Sequence, residues 1–405
     1  MFKAYRFRMY PKEDQQAFLT EQFGACRFVW NHFLALRNER HAKTGKGMTY
    51  NEMSAILTEM KKRDEYSWLN NANSQSLQQT LMHLDTAFKR FFKNLGRYPR
   101  FKKRRGMQSF SIPQHFSIND NHMSIPKLKT QIRVFAHRHI EGEVQSLTAT
   151  MTSSGKYYVT VLTDNTTESV ETKPIKPETS VGIDVGLKNF LSLSDGVQLS
   201  NPRNLEKSGK NLVRRQKELS RKSRGSMNRE KARIKVARLH EHISNQRMDF
   251  HNRVSDILLK QYDTIILEDL NVSGMLKNHH LSKSISDAGW SSFFALLKTK
   301  ALQRGKNVIE IGMFEPSSKM CSGCGSIKKD LKLSDRTYHC NACGLTIDRD
   351  LNAAINVWKM GMIKSGVPTD SGEFTPVDRN TSVLSLFERE GIVQVHWLKQ
   401  EAHVL

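Results

Sequence analysis

The chain has 405 residues, 38% of them hydrophobic, with 63 Lys and Arg against 40 Asp and Glu, a formal net charge of +23. That length holds two or three domains with real cores, and that charge points to a polyanionic partner, of which nucleic acid is the commonest. No apolar run approaches the ~18 residues of a membrane span, and no signal peptide or lipidation motif is present. A cytoplasmic protein with no membrane partner is therefore expected.

Phe2 to Tyr10 alternates, with Tyr5, Phe7 and Met9 on one face and Ala4, Arg6 and Arg8 on the other. This reads as a strand with one basic face, closed by Pro11. Phe18, Phe23, Cys26, Val29, Trp30, Phe33 and Leu34 then recur at helical spacing, which predicts a helix over 12–42. Further helices are expected near 50–62 and 74–95, the latter with Asn73 or Ser74 as cap and Leu77, Leu81, Leu84, Phe88, Phe91 and Leu95 on one stripe. Arg97 to Gly106 is a basic loop, punctuated by Pro99 and carrying Tyr98, Arg100, Phe101, Lys102, Lys103, Arg104 and Arg105. Strands are expected at 132–136, 144–152 and 156–163, the last two as a hairpin around Ser153-Ser154-Gly155, before a polar linker over 164–179.

A second organisation begins at Ser180. Val181 to Asp184 reads as a strand ending at Gly186, with Phe190–Leu193 and Val197–Leu199 as a hairpin turned by Ser194-Asp195-Gly196. Residues 203–260 read as helical, broken at Arg224-Gly225-Ser226; between Arg203 and Arg238 there are 14 Lys and Arg against 3 Asp and Glu, Arg214, Arg215, Arg221 and Lys222 among them. Leu239, Ile243, Phe250, Val254 and Ile257 form a packing seam. Thr264–Glu268 and Asn307–Ile311 read as buried strands, with helices near 288–304 and over 351–360. Beyond 361 the periodicity ends and a mobile tail is expected.

Four of the five cysteines form Cys321-x2-Cys324, fifteen residues, then Cys340-x2-Cys343. Two pairs at this spacing wrap one tetrahedral Zn2+. Four thiolates leave no position open for water, so the zinc is structural, and a loop this small needs such a staple. The intervening Lys328, Lys329, Lys332, Arg336 and His339 read either as phosphate contacts or as a solvated face. Cys26, on an apolar helical stripe, reads as a buried free thiol, and no disulfide framework is implied.

Seven residues after Cys343 stands Asp350. Strand-Asp184, hairpin, helices, strand-Glu268, strand, helix-Asp350 is the element order of a ribonuclease H-like α/β fold. Singly, these acids read as a turn residue, a strand end and a helix N-terminus. Jointly they offer the hard oxygen ligands that two Mg2+ ions require for phosphodiester hydrolysis. Asp269 points to the opposite strand face, and Asp348 suits the helix cap.

The chain resembles the TnpB family, transposon-encoded relatives of type V CRISPR effectors. The resemblance spans 1–360 and rests on Gly182-Ile183-Asp184-Val185-Gly186, Leu267-Glu268-Asp269-Leu270, the two Cys-x2-Cys-Gly knuckles and Asp348-Arg349-Asp350-Leu351-Asn352-Ala353-Ala354. Ala25-Cys26-Arg27-Phe28-Val29-Trp30-Asn31 and Pro99-Arg100-Phe101-Lys102-Lys103 add to it. Pro316-Ser317-Ser318 departs from the Thr-Ser usual before the first knuckle.

The resemblance implies an RNA-guided DNA endonuclease that carries a guide RNA from the transposon end and recognises double-stranded DNA beside a short flanking motif. It would be a bacterial, nucleoid-associated protein, monomeric with its RNA. Asp184, Glu268 and Asp350 would be the catalytic, Mg2+-binding acids of a RuvC-type domain over 179–314 and 345–360, with a helical insertion at 203–260. A zinc ribbon would occupy 315–344, a wedge-like β-barrel 1–10 and 96–178, and a helical recognition lobe 11–95, with 361–405 disordered. Nucleic-acid contacts are expected from Arg6, Arg8, Tyr98, Arg100, Phe101, Lys102 to Arg105, Arg214, Arg215, Arg221 and Lys222. For Tyr98 and Phe101 base stacking competes with internal packing, and for the basic arm a nucleic-acid channel competes with a solvated face. Two other functions stand beside the guided nuclease: a nuclease-inactive RNA-guided repressor, and an unguided transposase or resolvase accessory protein.

Overall fold

The computed structural model describes residues 2–165, 170–313, 315–332, 335–368, 380–389, 392 and 395–397. It divides into two compact units, Met1–Ser169 with Lys222–Arg238, and Val170–Arg221 with Leu239–Leu405.

The first unit contains strands β1 (Phe2–Tyr10), β2 (Gln108–Ile112), β3 (Ser117–Ile118), β4 (His122–Ser124), β5 (Ile132–Phe135), β6 (Glu143–Met151) and β7 (Tyr157–Asp164). They form one antiparallel sheet in the order β2-β6-β7-β1-β5-β4-β3. Alternation in β1 sends Tyr5, Phe7 and Met9 into the core and leaves Arg6 exposed, stacked over the Tyr158 ring. The resemblance implies a wedge-like barrel over these strands. Among the described residues no ladder joins β2 to β3, the two strands at the ends of the sheet.

Helices α1 (Glu13–Thr44), α2 (Tyr50–Met60) and α3 (Ser74–Phe92) complete this unit. α1 stops at Gly45, whose φ of 70° lets its N–H reach back to the His41 carbonyl at 2.8 Å. Asn73 caps α3, its side chain accepting from the Gln75 N–H at 3.1 Å. The expected stripe is buried at Leu77, Leu81, Leu84 and Phe88, but the helix ends at Phe92 and Leu95 is exposed. The basic loop is clamped to α1. Trp30 Nε1 donates to the Arg100 carbonyl at 3.0 Å, and Asn31 binds the Lys102 backbone through both its carbonyl (2.7 Å) and its amide (3.0 Å).

The second unit contains β8 (Ser180–Asp184), β9 (Asn189–Leu193), β10 (Val197–Ser200), β11 (Thr264–Glu268), β12 (Asn307–Ile311), β13 (Thr337–His339), β14 (Thr346–Asp348) and β15 (Val395–Trp397). Its main sheet runs β12-β11-β8-β9-β10-β15, with β12, β11 and β8 parallel and the remaining pairs antiparallel. Its helices are α4 (Asn204–Ser220), α5 (Met227–Gln261, shared with the first unit up to Arg238), α6 (Val272–Met275), α7 (Ser282–Ala288), α8 (Trp290–Gln303), α9 (Arg349–Lys364) and α10 (Asn380–Arg389). Gly225, at φ 87°, lies in the break between α4 and α5 where the sequence places it. The expectation of a structureless tail is corrected. α9 continues through Lys364, α10 spans Asn380–Arg389 with Phe387 fully buried, and Val395–Trp397 pairs with β10; residues 369–379, 390–391, 393–394 and 398–405 lie outside the described residues.

α9 lies directly on the parallel strands. A Cβ at Gly182 would meet the Ala354 carbonyl oxygen at 2.4 Å and the Trp358 nitrogen at 2.5 Å, and one at Gly361 would meet the Ile266 side chain at 2.4 Å. Buried Trp358 fixes the register by donating from Nε1 to the Ser180 hydroxyl at 2.7 Å. Gly182→Ala is expected to destabilise the protein by about 1–3 kcal/mol, because helix backbone cannot yield locally. Gly209→Ala, inside α4 with open space around its Cβ position, is expected to stabilise it by roughly 0.5–1 kcal/mol. Denaturant midpoints of the two variants should move in opposite directions.

Candidate active site and metal centre

Asp184 and Glu268 end neighbouring parallel strands, each one residue beyond the Ile183–Leu267 pair. Asp350 opens α9, one helical turn before Ala354, and Asp184 lies two strand residues after Gly182. The Gly182–Ala354 crossing is thus followed by about 6 Å of helix toward Asp350 and about 6.6 Å of strand toward Asp184. Asp184 lies within the charge field of Asp350. Burial pushes the Asp184 carboxyl well above its ordinary value, and the charges of Glu268 and Asp350 push it further. Burial also raises Glu268, opposed by the hydrogen bond it accepts from the Ser317 hydroxyl. Arg349 stands 3.4 Å from Asp350. Asp348 has the capping role its position predicts, accepting from the Asp350 and Leu351 N–H groups at 3.0 Å each, with Gln198 on the same oxygen. Asp184 thus lies within the charge fields of Glu268 and Asp350, and carboxylate oxygens are the ligands hard divalent cations take; among the described residues only the four cysteines already stand at ligand distance from one another.

The four cysteine sulfurs all lie within 4.8 Å of one another. Cys321 and Cys343 are 3.7 Å apart and Cys324 and Cys340 3.6 Å. A tetrahedron with ~2.3 Å Zn–S bonds has edges of about 3.8 Å, so these residues fit one zinc. The knuckles are built alike. Gly325 and Gly344 both sit at φ 76°, and their N–H groups return to the Cys321 and Cys340 carbonyls at 2.9 and 3.0 Å. That turn is why each pair is followed by glycine. Ser326 stands 3.2 Å from Cys324 Sγ and 3.1 Å from Cys340 Sγ. Tyr338, Ile347, Leu351 and Ile355 pack beneath the ribbon.

The cationic residues separate into two groups. Arg6, Arg100, Lys103, Arg104, Arg105, Arg214, Arg221 and Lys222 are exposed, as are Tyr98 and Phe101, while Arg8 and Arg215 are half-buried. Tyr98 also packs edge-on against Phe88 and Phe91 and donates to Asn38 at 2.5 Å, so internal packing holds at least its ring edge. Lys102 departs from the expected surface role. Its ammonium sits 4.1 Å from the Trp30 ring centroid, and burial lowers its pKa. The sequence reading missed a cavity of about 490 Å3 whose lining includes Lys188, Arg203, Lys283 and Arg336. These cations are scattered along the chain, and no local pattern unites them. It also missed Asn352 and Asn356, fully buried on α9. Their signal is two amides four residues apart on an otherwise apolar helix face.

A family model described as a probable transposase, OrfB of IS605, matches residues 159–279. A Cas12f1-like TNB domain model matches 290–357 and a helix-turn-helix model 1–46. The structure builds the last stretch as strand β1 and the single helix α1. A Streptomyces pristinaespiralis protein named as an RNA-guided DNA endonuclease is 34% identical over 90% of this chain and 90% of its own. InsQ of Escherichia coli K12, named likewise, is 34% identical over 90% of this chain and 96% of its own. The chain belongs to the TnpB family. Among solved structures, a Cas12f1–sgRNA–target DNA complex aligns with TM-score 0.49 and 14% identity over 86% of this TnpB-family chain and 83% of its own.

The acids and cysteines of this TnpB-family member give two predictions. Asp184 has a raised folded pKa, so it binds its proton more tightly folded than unfolded, where it titrates near pH 4. In magnesium-free buffer, stability is therefore lost as pH rises from about 4 through the folded value. Asp184→Asn removes that penalty. It is expected to melt above wild type at pH 7, with the gap closing below about pH 4 in thermal scans. Metal analysis should find one zinc per chain, lost in Cys340→Ser.

Proposed function

We propose that this chain is an RNA-guided DNA endonuclease of a transposon, cutting target DNA with Asp184, Glu268 and Asp350. The observation that carries the reading is the half-buried Asp184 carboxyl within the charge fields of Glu268 and Asp350, at the ends of β8, β11 and α9. The sheet supports it. Numbered from β8, the first five strands have the order 3-2-1-4-5, with the second strand antiparallel and the fourth and fifth parallel to the first, which is the ribonuclease H-like topology expected of a RuvC-type domain.

Mg2+ ions, two in number, are the cations these acids would hold, and when bound they stabilise charge on the attacking and leaving oxygens. The chain's residues supply the frame. Asp184 and Glu268 sit on rigid strand ends, Asp350 on a helix fixed by glycine contact, and Asp348 keeps that helix end formed. The cysteine ribbon takes one structural zinc. Exposed Arg100, Lys103, Arg104, Arg214, Arg221 and Lys222 grip phosphates without reading sequence, which gives binding a steep salt dependence. Sequence is read by pairing between a transposon-end RNA and the target strand, beside a short motif in the duplex. The relatives named as RNA-guided DNA endonucleases support this partner assignment, and one chain per RNA is the proposed assembly.

The test is to sequence the RNA that co-purifies with the full chain and to challenge the complex with a target library of randomised flanks. A discrete RNA and a depleted flank set are expected. Asp184→Ala should retain the RNA and lose cleavage. Cleavage by that variant at the wild-type rate would overturn the site, and absence of a discrete RNA would overturn the guide. RNA and target binding without cleavage by wild type would identify a repressor.

A further inference from the structure

Glu268 has one hydrogen-bond partner among the described residues, the hydroxyl of Ser317, which donates to Oε1 and leaves Oε2 free to serve as a ligand. Ser317 is itself buried and held from behind. Asn356 Nδ2 donates to the Ser317 carbonyl at 2.7 Å and to the Met320 carbonyl at 2.6 Å. One turn earlier on α9, Asn352 Nδ2 donates to Met320 at 2.8 Å, and its Oδ1 accepts from the Ser322 N–H at 2.8 Å. Two fully buried amides thus fasten the segment from Ser317 through the first cysteine knuckle to the helix that carries Asp350. The same segment reaches across to the acid on β11.

We propose that Ser317 is a positioning residue for the acid site. It fixes the Glu268 carboxylate in the rotamer that offers Oε2 to a divalent cation, and Asn356 fixes Ser317. The inference rests on the reading of Asp184, Glu268 and Asp350 as a cation site. A hydroxyl-to-carboxylate bond of this kind orients a ligand whose other oxygen binds metal, and losing such a support costs about 10-fold or more in metal affinity. The knuckle, Glu268 and Asp350 are thereby one mechanical assembly, in which the cysteine ribbon sets the geometry of an acid some fifty residues upstream of it.

The experiment uses the full RNA-bound chain. Mg2+ dependence of target cleavage is measured for wild type, Ser317→Ala, Ser317→Thr and Asn356→Ala, with zinc content determined on each. Mn2+ binding is followed in parallel, with Glu268→Gln defining the site-specific signal. Ser317→Ala is expected to raise the half-saturating Mg2+ about 10-fold, to weaken Mn2+ binding in step, to reach nearly the wild-type rate at saturating Mg2+ and to keep one zinc. Ser317→Thr, which keeps the hydroxyl, should restore the wild-type midpoint. Asn356→Ala should shift the midpoint alone but not in the Ser317→Ala background, since both act by one route. An unchanged midpoint in Ser317→Ala, loss of its zinc, or additive shifts in the double variant would overturn the proposal. Glu268→Gln retaining the full Mn2+ signal would instead overturn the cation-site reading beneath it.

Discussion

The second unit depends on one close approach, the seating of α9 on the backbone of β8. A helix normally stands off a sheet by the height of the side chains between them, about 10 Å from axis to sheet. At Gly182 no side chain intervenes, and at Gly361 the helix supplies the missing one for Ile266. The two glycines are complementary, one on the strand and one on the helix. Between them Trp358 reaches under the sheet to Ser180 and prevents the helix from sliding. Everything chemical follows from this seat. Asp350 and Asp184 lie nearly equal lengths from the contact point, with Asp184 in the charge field of Asp350, and the cysteine ribbon is carried at the same helix end.

Much of this was legible in the sequence, for local reasons. Alternation in Phe2–Tyr10, the Ile-Ile-Leu run before Glu268 and the glycine at 225 each determine their own conformation, and the structure follows them. Asp348 declared its capping role by position alone. The cysteine spacing specified both knuckles, since the ligands and the turn glycines are contiguous. What could not be read depends on distant partners. β3 and β4 have too few residues to carry a periodic signal, and their sheet exists only because β5 continues it. Val395–Trp397 becomes a strand only where β10 offers an edge. Lys102 stands in a run of cations that looks uniformly solvated, yet Trp30 draws that one inward. Ser317 and the buried amides of α9 look like ordinary polar residues until the fold encloses them.

Two motifs quoted separately from the sequence prove to be halves of one device. Trp30 and Asn31 on α1 grip the backbone of Arg100 and Lys102 through three hydrogen bonds. The indole and amide stiffen the segment from which Arg100, Lys103 and Arg104 project. Binding a polyanion there would then order side chains alone, avoiding roughly 1–2 kcal/mol per residue of backbone entropy that a slack loop would lose. The charge pattern has the same logic in reverse around Asp184. On a chain of net charge +23, the half-buried acids Asp184, Glu268 and Asp350 are a local negative well.

The order of the acids along the chain has a consequence for biosynthesis. Asp184 and Glu268 leave the ribosome early, on strands that pair with each other, but α9 emerges after them and after the cysteine ribbon. The ribbon's ligands lie within 23 residues, Cys321 to Cys343, so it can close locally while the third acid is still being threaded out. Until Gly361 has docked on Ile266 the sheet lacks its covering helix, and Asp184 the neighbouring charge of Asp350. Assembly of this unit therefore waits on α9, the element translated after every strand it covers.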